Sequence, residues 1–178
     1  MGQFKKFIRV AAVALIAAST GASASAKTVE VDANSFKCMA EMEKVRHFFV
    51  DNLLGDLDAT LAVARSKKGG VYPAGSVVQL VPTEVMVKRE AGWSPRTQDW
   101  EFFEIDVSAT GSEIRVRGTD KAVNKFGGNC LECHERARPK WDMICEKGHG
   151  CLPIPVSRKQ IAMLQQADPR CGAAAKAK

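Results

Sequence analysis

The sequence contains one short run in which two thiols and an imidazole are spaced for covalent attachment of haem. It reads Cys130-Leu131-Glu132-Cys133-His134, the Cys-x-x-Cys-His pattern typical of c-type haem proteins. In this pattern the thiols bond to the haem as thioethers, and the histidine is the proximal iron ligand. We therefore predict haem c (iron) as the cofactor, bound near the C-terminal part of the chain through Cys130 and Cys133, with His134 on the metal. The alternatives are a chance pair, a disulfide, or half of a zinc site completed by residues just downstream: Cys145, His149 and Cys151.

The N-terminal residues have the composition of an export signal. Three basic side chains lie within the first nine residues, residues 10–18 are apolar, and small residues at 24–26 form a cleavage site. We predict a cleaved signal peptide at residues 1–26 and a periplasmic mature protein that begins at Lys27. The apolar run is shorter than the ~20 residues that span a bilayer, so we expect no membrane embedding. The export signal also favours haem over zinc at the Cys-x-x-Cys-His run.

Residues 27–178 are long enough for one domain, and the Ala/Lys-rich end at 172–178 is expected to be disordered. Because residues 1–26 carry three basic side chains and no acidic ones, their removal lowers the formal net charge from +6 to +3. The basic residues are dispersed among acidic ones and form no stripe. We therefore expect no nucleic-acid partner.

Four further cysteines lie outside the haem run. An even number of cysteines in an exported chain favours two disulfides, although four cysteines allow three pairings and free thiols are the alternative. Of these pairings we favour Cys145 with Cys151 and Cys38 with Cys171. The second would tie the two ends of the domain together.

The residue pattern predicts an α+β fold, an antiparallel β-sheet with a few flanking helices. Runs rich in β-branched and aromatic residues alternate with Pro, Gly and Ser, which favours consecutive strands over a helical haem bundle. The predicted strands are Ser76–Val81, 85–89, 99–107 and 113–117.

Helical signals flank this strand-rich region. We predict a helix at 35–44 capped by Ser35, whereas residues 45–50 fit a helix or a strand equally well. A Ser157-x-x-Gln160 capping box predicts a short helix that stops before Asp168-Pro169. A further helix is predicted from apolar residues at helical spacing, followed by two glycines that stop it: Leu57, Leu61 and Ala64, then Gly69 and Gly70.

The strands and the haem run together resemble the cytochrome P-460 family and its relative cytochrome c-prime-beta. The resemblance implies an antiparallel sheet with few helices, one five-coordinate haem c and a possible homodimer. The matching segments are Val45-Arg46-x-x-Phe49-Val50-Asp51, Gly75-Ser76-Val77, Glu84 followed by Val87-Lys88, Asp99-Trp100-x-Phe102, the haem run and Trp141-Asp142-Met143.

The resemblance implies one of two functions, and one position separates them. In hydroxylamine-oxidising members a strand lysine is cross-linked to the haem ring, and this sequence has Leu80 at the corresponding position. Lys88 is the nearest substitute, and we expect it on the surface. Glu84 and Arg46 match the distal acid and arginine of the oxidising members. They are our candidate catalytic residues.

The remaining pocket residues follow from their chemistry. Leu80, Phe102 and Trp100 are predicted to contact the cofactor, with ordinary core packing as the alternative because the strand register is open. Further apolar candidates are Val78, Met86 and Phe103, and possible sixth iron ligands are His47, His149 and Met143.

These features predict an exported mono-haem c protein with five-coordinate iron. It would bind a small gaseous or nitrogenous ligand such as NO and transfer electrons, with a redox partner protein. The first alternative is a periplasmic oxidoreductase that oxidises hydroxylamine or NO. The second is a six-coordinate electron-carrier cytochrome.

Overall fold

A six-stranded antiparallel sheet forms the centre of the computed structural model, which describes residues 27–172. Each strand pairs with the next one along the chain, so the order in space is the order in sequence. The predicted signal peptide, 1–26, and most of the predicted tail, 173–178, lie outside the described residues. The strands are β1 Glu43–Val45, β2 Phe48–Asn52, β3 Ser76–Val81, β4 Glu84–Lys88, β5 Trp100–Ser108 and β6 Gly111–Gly118.

The sheet confirms the predicted α+β class and its antiparallel strands. β3 has the predicted bounds, β4 and β5 are each displaced by one residue, and β6 extends the prediction at both ends. Residues 45–50, which fitted a helix or a strand, form most of a hairpin between β1 and β2. Arg46 lies in its turn with a left-handed φ of 56°.

Two of the predicted helices form, α1 Leu57–Arg65 and α3 Arg158–Gln166, and the predicted capping box is present in α3. The predicted stop of α1 at Gly69 and Gly70 is wrong, because the helix ends at Arg65 with Ser66 as its C-cap. In α3 the Ser157 hydroxyl oxygen accepts from the backbone N–H of Gln160, and the Gln160 side chain accepts from the backbone N–H of Ser157. In α1 the Asp56 side chain accepts from Ala59, which satisfies a free helix-end donor. No helix within 27–172 is long and apolar enough to cross a membrane. The helices are α1 Leu57–Arg65, α2 Cys130–His134 and α3 Arg158–Gln166.

The helix predicted at 35–44 is wrong. Two single 3₁₀ turns, Ala33–Ser35 and Met39–Glu41, take its place, and Asp32 rather than Ser35 caps the first turn. Tertiary contacts decide the backbone conformation of this segment and outweigh the helical spacing of its apolar residues. The three apolar side chains that suggested a helix are buried nevertheless: Phe36, Met39 and Met42.

Both predicted disulfides are present. Cys38 is bonded to Cys171, and Cys145 is bonded to Cys151. The first joins the N-terminal turns to the segment after α3, across a sequence separation of 133 residues. Two disulfides are compatible with an exported protein.

The sheet is covered on both faces, and the alternation of side chains along each strand separates two apolar clusters. The first face carries α1 and the residues that follow β6. Its cluster includes Val78, Met86, Trp100, Phe102, Leu131, Met143 and Ile144. The second, opposite face is covered by the N-terminal segment, which packs Val29, Val31 and Phe36 against it.

Candidate functional site

A cavity of about 610 Å³ lies between the first face of the sheet and the residues that follow β6. This volume is within the roughly 300–1,000 Å³ typical of ligand and cofactor sites. The sheet side is mainly apolar, and the other side is formed by α2 and by residues 144–158. Predicted pocket residues that line it from the sheet are Val78, Leu80, Glu84, Met86, Phe102 and Phe103.

The Cys-x-x-Cys-His run forms α2 and brings its three functional side chains to this cavity. Asn129 caps the helix by accepting from the backbone N–H of Glu132. Because residues three apart lie on one face of a helix, Cys130 and Cys133 point the same way. Both are free thiols, and both line the cavity together with His134.

Burial raises the pKa of the Cys130 thiol to about 11, and the negative charges of Glu84 and Glu104 add to the effect. Burial also raises the pKa of Cys133. Since the thiolate is the species that attacks disulfides, both side chains are poor partners for exchange with the neighbouring Cys145–Cys151 bridge.

His134 is oriented by one hydrogen bond. Its Nδ1 lies 2.8 Å from the carbonyl oxygen of Met143, and the Phe102 ring packs against the imidazole at a centroid distance of 5.4 Å. Burial lowers the pKa of His134, although the Met143 carbonyl opposes this. A neutral imidazole that donates from Nδ1 has Nε2 free, which is the arrangement of a metal-ligating histidine.

The Met143 carbonyl is itself held by a buried polar network. Asp142 and Met143 both have left-handed backbones, with φ of 47° and 63°. The Asp142 carboxylate accepts from Lys88 Nζ at 2.7 and 2.8 Å and from the backbone N–H of Tyr72 at 2.7 Å. Its carbonyl accepts from Trp100 Nε1 at 2.8 Å. The sheet thus fixes the segment that orients His134.

This network corrects two predictions about single residues. Lys88 is not on the surface, because it is 5% exposed and paired with Asp142. Trp100 is fully buried against Tyr72, with ring centroids 5.5 Å apart, and it is not among the described residues that line the cavity. Both residues contact Asp142, and neither lines the cavity.

Glu84 lies at the cavity as predicted and has an acidic neighbour that the sequence did not single out. Glu84 and Glu104 are directly opposed across β4 and β5. The Oε1 atom of Glu84 accepts from Asn124 Nδ2 at 3.1 Å. Burial raises the pKa of Glu84, while Asn124 and Lys125 lower it.

Glu104 is more deeply buried than Glu84. It is 1% exposed, and neither of its carboxylate oxygens has a hydrogen-bond partner among the described residues. Burial raises the pKa of Glu104, and the nearby charge of Glu84 raises it further, while the charges of Lys125 and Arg115 and the Lys125 backbone N–H lower it. The nearest cations are Arg115 at 3.6 Å and Lys125 at 3.8 Å from Oε1, beyond hydrogen-bond distance.

Arg46 is not brought to the large cavity. Its guanidinium forms an ion pair with Glu146 and donates to the carbonyl of Ala64 at 2.9 Å. It lines a separate small pocket of about 10 Å³. Glu146 lines both spaces, and the Arg46 guanidinium lies 5.5 Å from the centroid of the Phe48 ring, which lines the large cavity, so Arg46 contacts residues of the cavity wall without lining it.

Of the possible sixth ligands, only His47 lines the cavity within the described part of the chain. Its Nδ1 is 3.5 Å from Glu146 Oε1, and burial lowers its pKa, while Glu146 opposes the shift. His149 stacks on Trp141 at 3.8 Å, and its Nδ1 lies 2.7 Å from the carbonyl oxygen of Ile144. Met143 is 3% exposed in the core.

Two of the residues that would complete the alternative zinc site are not available as metal ligands. Cys145 and Cys151 are joined in a disulfide, and a cysteine in a disulfide is not a thiolate ligand. Among residues 27–172, no group of three or more His, Cys, Asp or Glu side chains is placed to hold a metal ion.

The sequence interpretation missed three contributors to the site. Glu104 follows Phe102 by two residues in β5, so the alternation of the strand would place it on the cavity face once the register was known. Lys147 and Arg158 line the cavity, and both are exposed. Lys147 lies outside any strand or helix, and Arg158 is the first residue of the predicted helix α3, but nothing in the sequence signals that either faces the cavity.

No family model matches the chain, and no curated protein or solved structure compared with it is a match. The likeness to the cytochrome P-460 family therefore rests on the motifs quoted above. The functional argument below rests on the cavity and its side chains.

Proposed function

We propose that the chain is an exported, periplasmic mono-haem c protein whose iron keeps one position open for a small ligand such as NO. One observation carries the proposal. Cys130, Cys133 and His134 meet at one cavity of cofactor size, and these two cysteines are free while the other four are in disulfides. Two thiols and one neutral imidazole are the donor set that haem c requires.

The rest of the cavity also fits this cofactor. Val78, Leu80 and Met86 offer an apolar wall for a flat macrocycle. The exposed cations Lys147 and Arg158 line the same space, where they would pair with the two propionate groups. When bound, haem supplies a redox-active iron with an axial position for a ligand.

The residues around the cavity would then have separate roles in holding the haem and admitting the ligand. His134 would ligate the iron, with its ring held by the Met143 carbonyl. Leu80 and Phe102 exclude water from the apolar side, which favours small neutral gases over polar ligands. An open sixth position requires that His47 stays with Glu146, 3.5 Å from it, rather than turning to the iron.

Oxidation of hydroxylamine or NO is the second candidate function. Glu84 favours it, because a cavity carboxylate with a raised pKa can accept a proton from a nitrogen substrate. Leu80 disfavours it, since it lines the cavity where the resemblance places the cross-linked lysine. Lys88 cannot substitute, because its ammonium is paired with Asp142.

The ferrous spectrum and hydroxylamine turnover of one sample separate the candidates. A lysine cross-link breaks the conjugation of the haem ring and shifts its absorption to the red. We expect an ordinary high-spin haem c spectrum, rapid binding of CO or NO, and little hydroxylamine oxidation. A strongly red-shifted band, or turnover that disappears in Glu84→Ala, would place the protein among the enzymes. A low-spin spectrum that becomes high-spin in His47→Ala would indicate the six-coordinate carrier.

A further inference from the structure

The buried carboxyl group of Glu104 is the feature that the proposed function leaves unexplained. A buried polar group normally has a hydrogen-bond partner, and a buried carboxylate normally has a cation or several donors. Glu104 is 1% exposed, and both of its oxygens lack a partner within the described residues. Burial disfavours an ionised carboxylate here, and the two nearby cations, Arg115 and Lys125, lie beyond hydrogen-bond distance, so the protonated form of Glu104 is favoured more than in an exposed glutamate.

The only acid directly opposed to Glu104 in the sheet is Glu84. Opposed residues in an antiparallel pair have Cβ atoms about 4.5–5.5 Å apart, so the two carboxyl groups are within reach of each other. Two carboxylates at this separation do not both ionise readily. Glu84 has the better-solvated position, with Asn124 donating to it at 3.1 Å, and it is the member that faces the cavity.

The cations around the pair lie near Glu104, whereas Glu84 is the member that lines the cavity. Facing Glu104 are Arg115 from β6 and Lys125 from the following loop, both beyond hydrogen-bond distance. Lys125 is also 3.8 Å from Asp106, so Asp106 and Glu104 compete for the same ammonium group. Towards the cavity the pair faces Cys130. Once bonded to haem as a thioether, the Cys130 sulfur would carry no charge.

We propose that Glu84 and Glu104 share one proton at neutral pH, with Glu104 as the protonated member, and that this pair makes the cavity selective for small weak acids. A ligand that is already an anion meets the negative charge of the pair. A neutral acid does not, and it can give its proton to Glu84 as it binds. The bond between hydrogen and the ligand breaks, an O–H bond forms on Glu84, and the pair becomes neutral.

In this arrangement Glu104 is a positioning residue, because it reaches the cavity only through Glu84. Its proton removes one of two neighbouring negative charges and thereby allows Glu84 to stay ionised as a base. No electron is needed for the proton transfer. The ligand selectivity rests on the proposed haem site, whereas the shared proton does not.

The shared proton is tested by infrared spectroscopy of the purified protein at neutral pH. We expect the carbonyl band of a protonated carboxylic acid in the wild type, and its loss in Glu104→Gln. The matched control is Glu101→Gln, in the same strand and 3% exposed, because Glu101 is hydrogen-bonded by Arg89 at 2.9 Å and Arg117 at 2.7 Å. The control should keep the band. A wild type without the band, or a band that persists in Glu104→Gln, would overturn the shared proton.

The ligand class is tested by stopped-flow binding of hydrogen cyanide to the ferric protein and of CO to the ferrous protein. Cyanide enters as a weak acid and loses its proton, whereas CO has none to lose. We expect Glu84→Gln to slow cyanide binding on the order of 10²-fold at pH 7 and to change CO binding much less than cyanide binding. Glu104→Gln should shift the pH profile of cyanide binding relative to that of the wild type.

Equal cyanide rates in the wild type and in Glu84→Gln would overturn the assignment of ligand class. An equal loss for CO would do so as well, because it would indicate damage to the cavity rather than loss of a base. A protein that carries no haem would contradict the proposed function instead. The infrared band would still decide whether the pair holds a proton.

Discussion

Two buried polar regions lie next to the cavity lining and differ in how their groups are satisfied. Behind His134, Asp142 accepts three hydrogen bonds from Lys88 and the Tyr72 backbone, and its carbonyl accepts one from Trp100. At the Cys130 end, Glu104 is equally buried, yet neither oxygen has a partner among the described residues.

From this difference we infer that the first region provides rigidity and that the second supports the proposed proton exchange. A fully satisfied buried network fixes one geometry, which would hold His134 as the proposed iron ligand. Burial raises the pKa of Glu104, so its carboxyl group releases its proton at a higher pH than an exposed glutamate does. Changes in the first region should therefore alter stability and His134 geometry, whereas changes in the second should alter pH dependence.

The largest effect is expected from breaking the satisfied region. In Lys88→Met, the Asp142 carboxylate remains buried without its cation, and removal of one partner from a buried ion pair typically costs about 3–5 kcal/mol. Urea unfolding measures this loss. The double variant Lys88→Met/Asp142→Asn should recover part of it, because asparagine tolerates the left-handed backbone at 142 and carries no charge.

A matched control is the exposed pair of Arg65 and Glu43, 3.6 Å apart with side chains 58% and 52% exposed. Arg65→Met should change the free energy of unfolding by less than about 1 kcal/mol. If Lys88→Met had an equally small effect, the network would not be holding the segment behind His134.

A smaller effect, visible only in its pH dependence, is expected from Glu104→Gln. The folded-state pKa of Glu104 is raised above the unfolded value of about 4.3, so the folded protein binds more protons than the unfolded chain in the interval between them. Stability should therefore fall as the pH rises from about 4.3 through the folded pKa. Glu104→Gln should reduce this slope when unfolding is measured from pH 5 to pH 9.

Asp168 contributes a slope of opposite sign in a lower window. Burial would raise its pKa, but hydrogen bonds from Arg170 and from the Met39 backbone lower it overall. Its stabilisation is present above about pH 3.9 and is lost as the pH falls, so it does not mask the effect of Glu104. Identical slopes in the wild type and in Glu104→Gln between pH 5 and pH 9 would contradict a raised pKa at Glu104.

The sequence predicted much of the fold because its signals were local. The strands β3 to β6 and the capping box of α3 were readable from residue type and spacing, and so was the Cys-x-x-Cys-His run. The helix expected at 35–44 fails because its apolar spacing is produced by two 3₁₀ turns in a segment tied by Cys38 to Cys171.

The site could be predicted only in part. Glu84 and Leu80 were placed at the cavity correctly, because strand alternation keeps them on the face of Val78. The positions of Arg46, Trp100 and Lys88 depend on long-range partners, namely Glu146 for the arginine and Asp142 for the other two. The pairing of Glu84 with Glu104 depends on strand register, which a single sequence does not fix.

The most direct test of the central claim is the intact mass of the exported protein under denaturing, non-reducing conditions. Covalent attachment through Cys130 and Cys133 predicts the mass of residues 27–178 plus one haem, with no free thiol left to titrate. In Cys130→Ala/Cys133→Ala the haem mass should be lost while both disulfides remain. A wild-type chain that has the mass of the polypeptide alone and two titratable thiols would contradict the account.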